Sequence, residues 1–240
     1  MKKKWKITSA VTNIIIIVML ISLTIVSFSG QYSSFVLSQA NDRPYYKGNT
    51  ARGEVALMIN VYWGTEYLDD MLKVLENHNA KCTFFVGGSW ASKNSDYLNK
   101  IISAVHEIGN HGYFHKDHAK LNYAQNESEI KSNNVLVSGL TGYQMTLFAP
   151  PSGSFNDTTL KVAADLGMQT IMWSIDTIDW RDKDSSLVYS RATSKVTAGD
   201  MILMHPTAHT LAALGDILTF YEENSLTPVT VSQIIKQEII

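Results

Sequence analysis

The sequence has one cysteine, little charge and no excess of positive charge. Of its 240 residues 45% are hydrophobic and 18% charged, with 20 basic against 22 acidic side chains and a net charge of -2. Lone Cys82 has no partner in its own chain, which excludes an internal disulfide scaffold. The lack of excess positive charge argues against nucleic acid as a partner. So much apolar content with so little charge excludes disorder throughout. No glycine-rich phosphate loop occurs, which disfavours a nucleotide fold.

What charge there is lies unevenly. Lys2, Lys3, Lys4 and Lys6 cluster at the start, and no charge follows until Asp42. Without those four lysines the chain carries 16 basic against 22 acidic residues, a net of -6. Ile7 to Phe28 is uncharged with a dense apolar core from Ile14 to Val26, and as a helix it would extend about 33 Å at roughly 1.5 Å per residue, enough to cross a bilayer core. The preceding lysines predict a cytoplasmic N-terminus, with everything after residue 30 outside. A cleaved signal peptide is the alternative, with small residues at Ser27 and Ser29, or Ser38 and Ala40. The run exceeds the usual signal core of about 7–15 residues, so a single-pass anchor in the cell membrane is expected, and a secreted protein if cleavage occurs.

The expected organisation is a basic tip and anchor over 1–30, a linker over 31–51 and one domain over 52–240. Short apolar runs then alternate with amphipathic stretches. Strands are predicted over 55–63, 82–88, 144–151, 169–176 and 200–205. Helices are predicted over 65–80, 95–109, 118–140, 156–167, 185–196 and 210–224, with a last strand and helix over 226–237. The helix over 95–109 is read as stopping at Gly109. This alternation predicts an α/β fold, a distorted (β/α) barrel of about seven units preceded by one transmembrane helix. Function in such barrels sits at the C-terminal strand ends.

Polar residues gather at those predicted ends: Asn60 with Tyr62 and Trp63, His111 and His115, Pro151 to Gly153, Asp176 with Asp179 and Trp180, and His205. Each alone is weak. His-x-x-x-His puts two imidazoles on one side, as a metal needs, but such a pair also arises by chance. Asp176 and Asp179 could cap the next segment, and Pro150-Pro151 could only stop a strand. Order and location give the set its weight.

In that order the sequence resembles the polysaccharide deacetylase family, the NodB-homology domain of carbohydrate esterase family 4, over about residues 52–236. Trp63-Gly64-Thr65-Glu66 is similar to its sporulation-associated subgroup. The resemblance implies a distorted barrel and metal-assisted removal of N-acetyl groups from cell-wall amino sugars, with a peptidoglycan or chitin-like oligomer as partner. It implies a divalent metal, zinc first, on His111 and His115. His205 would protonate the leaving amine, oriented by Asp179. Trp180, Tyr113, Pro151 and Gly153 would bind substrate.

Three positions depart from the family pattern. Met58-Ile59-Asn60-Val61 aligns with Thr-Phe-Asp-Asp, so Asn60 replaces the general base and Val61 a metal ligand. Ala149 stands where the family has the arginine that pairs with the base. A third ligand would have to come from Asn60, Asp176 or His118. Two functions follow: a hydrolase with a degenerate site, or an inactive relative that binds glycan or a partner in the envelope.

Overall fold

The computed structural model describes Ile17 and residues 43–236. The chain divides into two compact units, Met1–Ser38 and Gln39–Ile240, and the second is described below. The expected membrane helix lies outside the described residues. Among those described, no helix is long and apolar enough to cross a membrane.

Eight strands form one all-parallel sheet: β1 (Glu54–Val61), β2 (Thr83–Val86), β3 (Glu107–Asn110), β4 (Leu147–Phe148), β5 (Gln169–Thr170), β6 (Ile175–Asp176), β7 (Met201–Met204) and β8 (Thr227–Val229). Parallel neighbours need crossovers, and helices supply most of them. The spatial order is β5-β4-β3-β2-β1-β7-β6, with β8 also paired to β1. The sheet curls as a distorted barrel does. Its two edges, β5 and β6, follow one another in sequence. Each is only two residues long, and they are not paired with one another, so a seam lies between them.

The pleat of β1 separates two cores. Val55, Leu57, Ile59 and Val61 belong to the larger cluster, with helix residues such as Leu68, Met71, Leu214 and Ile217. Ala56 and Met58 belong to the smaller, with Phe85, Leu147, Ala149, Ile171 and Met201. Period-two alternation thus packs one face on helices and the other inside the curl. Burying a side chain such as Met58 stabilises the fold by about 1.5–3 kcal/mol. The next residue on the inner face is Asn60, the last such position of β1.

Three local expectations change. The helix expected over 95–109 ends at Ser103, and residues 107–110 are β3. Gly109 is therefore no helix stop. Phe85 ring atoms lie 2.5 Å from where its Cβ would be, so only glycine fits beside that ring. The strand expected over 169–176 is two short strands, β5 and β6. Residues 45–49, read as irregular linker, are bonded to the barrel. Tyr45 bridges Ile171, Lys47 bridges Asp200, and the Asn49 N–H donates to the Ile234 carbonyl at 2.7 Å. This stretch thus links the flank of β5 to that of β7.

Candidate active site

The C-terminal ends of β1, β3, β6 and β7 bring the predicted residues together. Asn110 ends β3 and shapes the turn that follows. Its Oδ1 accepts from the Gly112 N–H at 2.7 Å, and its Nδ2 donates to the Ile130 carbonyl at 2.8 Å. His111 is thereby held inside, only 1% exposed. Its Nδ1 lies 2.7 Å from the Ala149 carbonyl oxygen. That oxygen only accepts, so Nδ1 carries the proton and Nε2 presents a lone pair. Burial, then the neighbouring charge of His115, pushes the His111 pKa down to about 3. His115 is lowered too, chiefly by burial. Its ring stacks on Tyr62 with centroids 4.0 Å apart and lies 5.0 Å from the His111 ring.

The opposite wall carries a hydrogen-bonded dyad, Asp179 with His205. Asp179 is 1% exposed. Its Oδ1 lies 2.8 Å from His205 Nδ1, and its Oδ2 accepts from the His205 backbone N–H at 2.6 Å. Thr210 donates its hydroxyl to the same Oδ2. Burial raises the pKa of this carboxyl, but the His205 ring, Thr210 and the His205 backbone N–H together hold it below the usual carboxylate range. Trp63 stacks on His205 with centroids 5.5 Å apart. Asp176 Oδ1 accepts from the Ile178 N–H at 2.8 Å, closing the turn into Asp179. His115, Ser152 and Ile178 all take left-handed φ, at 55°, 55° and 53°. Such strain clusters where the surrounding fold fixes a site.

A cleft of about 420 Å³ lies between these walls, lined by Asn60, Trp63, His111, His115, Ser152, Trp173, Asp176, Trp180, Leu203 and His205. Of the predicted binding residues, Trp180 is in it. Tyr113 lines a separate groove with Ser128, Lys131 and Val135, its ring packed over Gly88. Pro151 and Gly153 are not among the lining residues, although Ser152 between them is. Trp173 in the cleft and Thr210 beside Asp179 are not among the residues that the sequence motifs point to. The signal for Thr210 was its place five residues after His205, where Thr207 caps a new helix.

The three departures have clear structural consequences. Asn60 is 3% exposed, and its Oδ1 is buried without a hydrogen-bond partner. Val61 is turned into the helix-packed core. Ala149 belongs to the inner core, and its carbonyl accepts from His111. Among the described residues, no group of three histidine, cysteine, aspartate or glutamate side chains is arranged to hold a metal. His118 is fully buried, its Nδ1 2.7 Å from Asn126 Oδ1 and its Nε2 unpartnered. Neither Asp176 nor His118 thus joins His111 and His115 as a third ligand, and the neutral amide of Asn60 does not complete a catalytic zinc site, which takes three protein ligands.

The polysaccharide deacetylase family profile matches residues 47–171. The protein YlxY of Bacillus subtilis strain 168 is 39% identical over 201 residues, covering 84% of this chain and 63% of its own length. A peptidoglycan-N-acetylglucosamine deacetylase of Bacillus cereus is 30% identical over 162 residues, covering 68% of this chain and 59% of its own length. This chain thus spans less than two thirds of these relatives. Among solved structures, a CE4 family pseudoenzyme from Bacillus anthracis superposes with a TM-score of 0.79 at 35% identity, over 82% of this chain and 70% of that one. A mutant of it with restored enzymatic activity also superposes at 0.79, with 34% identity, over 82% and 72%.

Proposed function

The chain belongs to the polysaccharide deacetylase family, and from that premise we propose that it binds amino-sugar glycan of the cell wall without hydrolysing it at a family enzyme's rate. The observation that carries this is Asn60. It stands at the family's general-base position, buried, and its amide cannot take a proton from water. General-base catalysis contributes roughly 10²–10⁴-fold. The family's divalent metal would polarise the acetyl carbonyl when bound, but Val61 faces the core and the remaining donors do not fit it. The pseudoenzyme among the structural neighbours supports the same reading.

What this chain's own residues do is bind and orient. Trp63 and Trp180, 43% and 52% exposed, offer flat faces to pyranose rings at the cleft. Glycan oligomers should quench tryptophan fluorescence, and Trp180→Ala should weaken their binding. Acetate release from N-acetylglucosamine oligomers or peptidoglycan should stay at background, with or without zinc. The hydrolytic reading keeps one observation in its favour, the intact His205–Asp179–Thr210 relay. Acetate release that His111→Ala abolishes would establish it instead.

The setting belongs to the proposal too. The basic tip and apolar run of residues 7–28 support a cell-membrane anchor with the barrel outside the cytoplasm. Protease added to intact cells should then remove the barrel, and protection from it would contradict that topology.

A further inference from the structure

Trp180 stands on a turn that the backbone does not adopt unaided. Asp179–Asp182 is one helical turn between Ile178 and Lys183, and both of these take left-handed backbone, at φ 53° and 51°. For β-branched Ile178 that conformation is a genuine outlier. It costs free energy and persists only where the surroundings hold it. The turn buries Asp179, 1% exposed, and leaves Trp180 52% exposed at the cleft. A rotation at Ile178 would therefore move both.

Several groups hold Ile178. Its N–H donates to Asp176 Oδ1, and its carbonyl accepts from the N–H groups of Arg181 and Asp182 at 3.2 and 3.1 Å. Thr177, the residue before it, is tied to β7 and to a helix. Its N–H and hydroxyl donate to the Leu203 carbonyl at 3.2 and 2.9 Å. Its own carbonyl accepts from Arg191 Nη1 at 2.8 Å, out of the helix Ser185–Thr193. Arg191 Nη2 donates to Asp182 Oδ2. One guanidinium thus ties the chain entering the turn to the last residue of the turn. Its side chain is 27% exposed, and it is not among the residues lining the cleft. Arg181, then Arg191, hold the Asp182 carboxyl down to about 2, so the pair is charged at neutral pH.

We infer that Arg191 is a positioning residue for glycan binding: by bracketing the turn from Thr177 to Asp182, it fixes the angle at which Trp180 meets a sugar ring. This rests on the reading that the cleft binds wall glycan through Trp63 and Trp180. A planar guanidinium reaches two acceptors in a fixed geometry, which a lysine ammonium on its flexible stem does not. Stacking depends on ring orientation, so a tilted indole loses contact with the sugar while staying exposed.

The test is a double-mutant cycle on the full chain, with calorimetry reading affinity for an N-acetylglucosamine oligomer. Melting curves fix a temperature at which every variant is folded, where a merely structural role leaves affinity unchanged. Arg191→Met keeps an apolar stem and removes every donor. It should weaken binding at least about threefold. In the Trp180→Ala background the same change should cost less than about twofold, because the side chain it positions is gone. If Arg191→Met melts too early, Arg191→Lys replaces it, with the same pattern expected. If Trp180→Ala binds too weakly for the cycle, near-ultraviolet circular dichroism of the free chain replaces affinity. Arg191→Met should then change the signal in the wild-type background and not in the Trp180→Ala one. Unchanged affinity in the wild-type background overturns the inference and leaves the glycan-binding reading standing. An equal loss in both backgrounds also overturns it, because the effect then runs through a residue other than Trp180. No oligomer binding by the wild-type chain overturns both.

Discussion

Asn60 is nearly isosteric with the aspartate it replaces, yet the exchange alters the charge balance of everything around it. A carboxylate there would sit beside neutral His111 with no cation, because residue 149 is alanine. Asn60→Asp alone should therefore destabilise the protein by about 2–3 kcal/mol without releasing acetate. Adding Ala149→Arg should recover at least about 1 kcal/mol of that loss in a denaturant double-mutant cycle. Additive losses would mean the two positions no longer face each other. On the other wall, Thr210→Val removes one of the donors to buried Asp179 and should cost about 1–3 kcal/mol in the same assay. These roles differ in how legible they were. His111, His115, Asp179 and His205 were legible as candidates from their order at the predicted strand ends and from the family resemblance, whereas spacing alone was weak. Trp173 was not, because a tryptophan beside a strand reads equally as packing or as lining.

At the scale of elements, the glycines separate what patterning reveals from what packing decides. Gly109 follows an amphipathic helix, where the residue type alone suggests a stop. Its actual cause is the Phe85 ring across β2 and β3, which no local pattern records. Gly109→Ala should lower stability by about 1–3 kcal/mol through overpacking, and Phe85→Leu in the same chain should relieve most of it. Gly48 poses the same problem in the stretch read as linker. Its Cβ would meet the Ile234 carbonyl oxygen at 2.5 Å. That β1 is a strand was readable from its apolar run, but the faces of its period-two pleat, with Asn60 inward, emerge only from the packing. The outward turn of Val61 follows from that same period. A restoring Val61→Asp must therefore place a carboxylate in the helix-packed core, so it should melt markedly earlier than wild type in metal-free buffer.

For the whole molecule, the parallel α/β character was legible because strands and helices alternate along almost the entire body. The seam was not, because residues 169–176 read as one strand rather than as the two sheet edges β5 and β6. A global consequence concerns pH. His106 is 5% exposed, and burial lowers its pKa from 6.5 to about 4. Its Nδ1 accepts from the Cys82 N–H at 3.4 Å, a bond that protonation removes. The unfolded chain therefore binds this proton first as pH falls, and stability drops between about pH 6.5 and 4. His106→Gln should flatten that part of the stability curve, by up to about 3 kcal/mol at pH 4. An unchanged curve would show that His106 is charged in the fold.

The account's central claim is that this barrel keeps the family's groove and has lost its hydrolysis. Acetate released from N-acetylglucosamine oligomers by the full chain in the presence of zinc tests it most directly. The account predicts background release alongside oligomer binding. Zinc-dependent release that disappears in His111→Ala would contradict it.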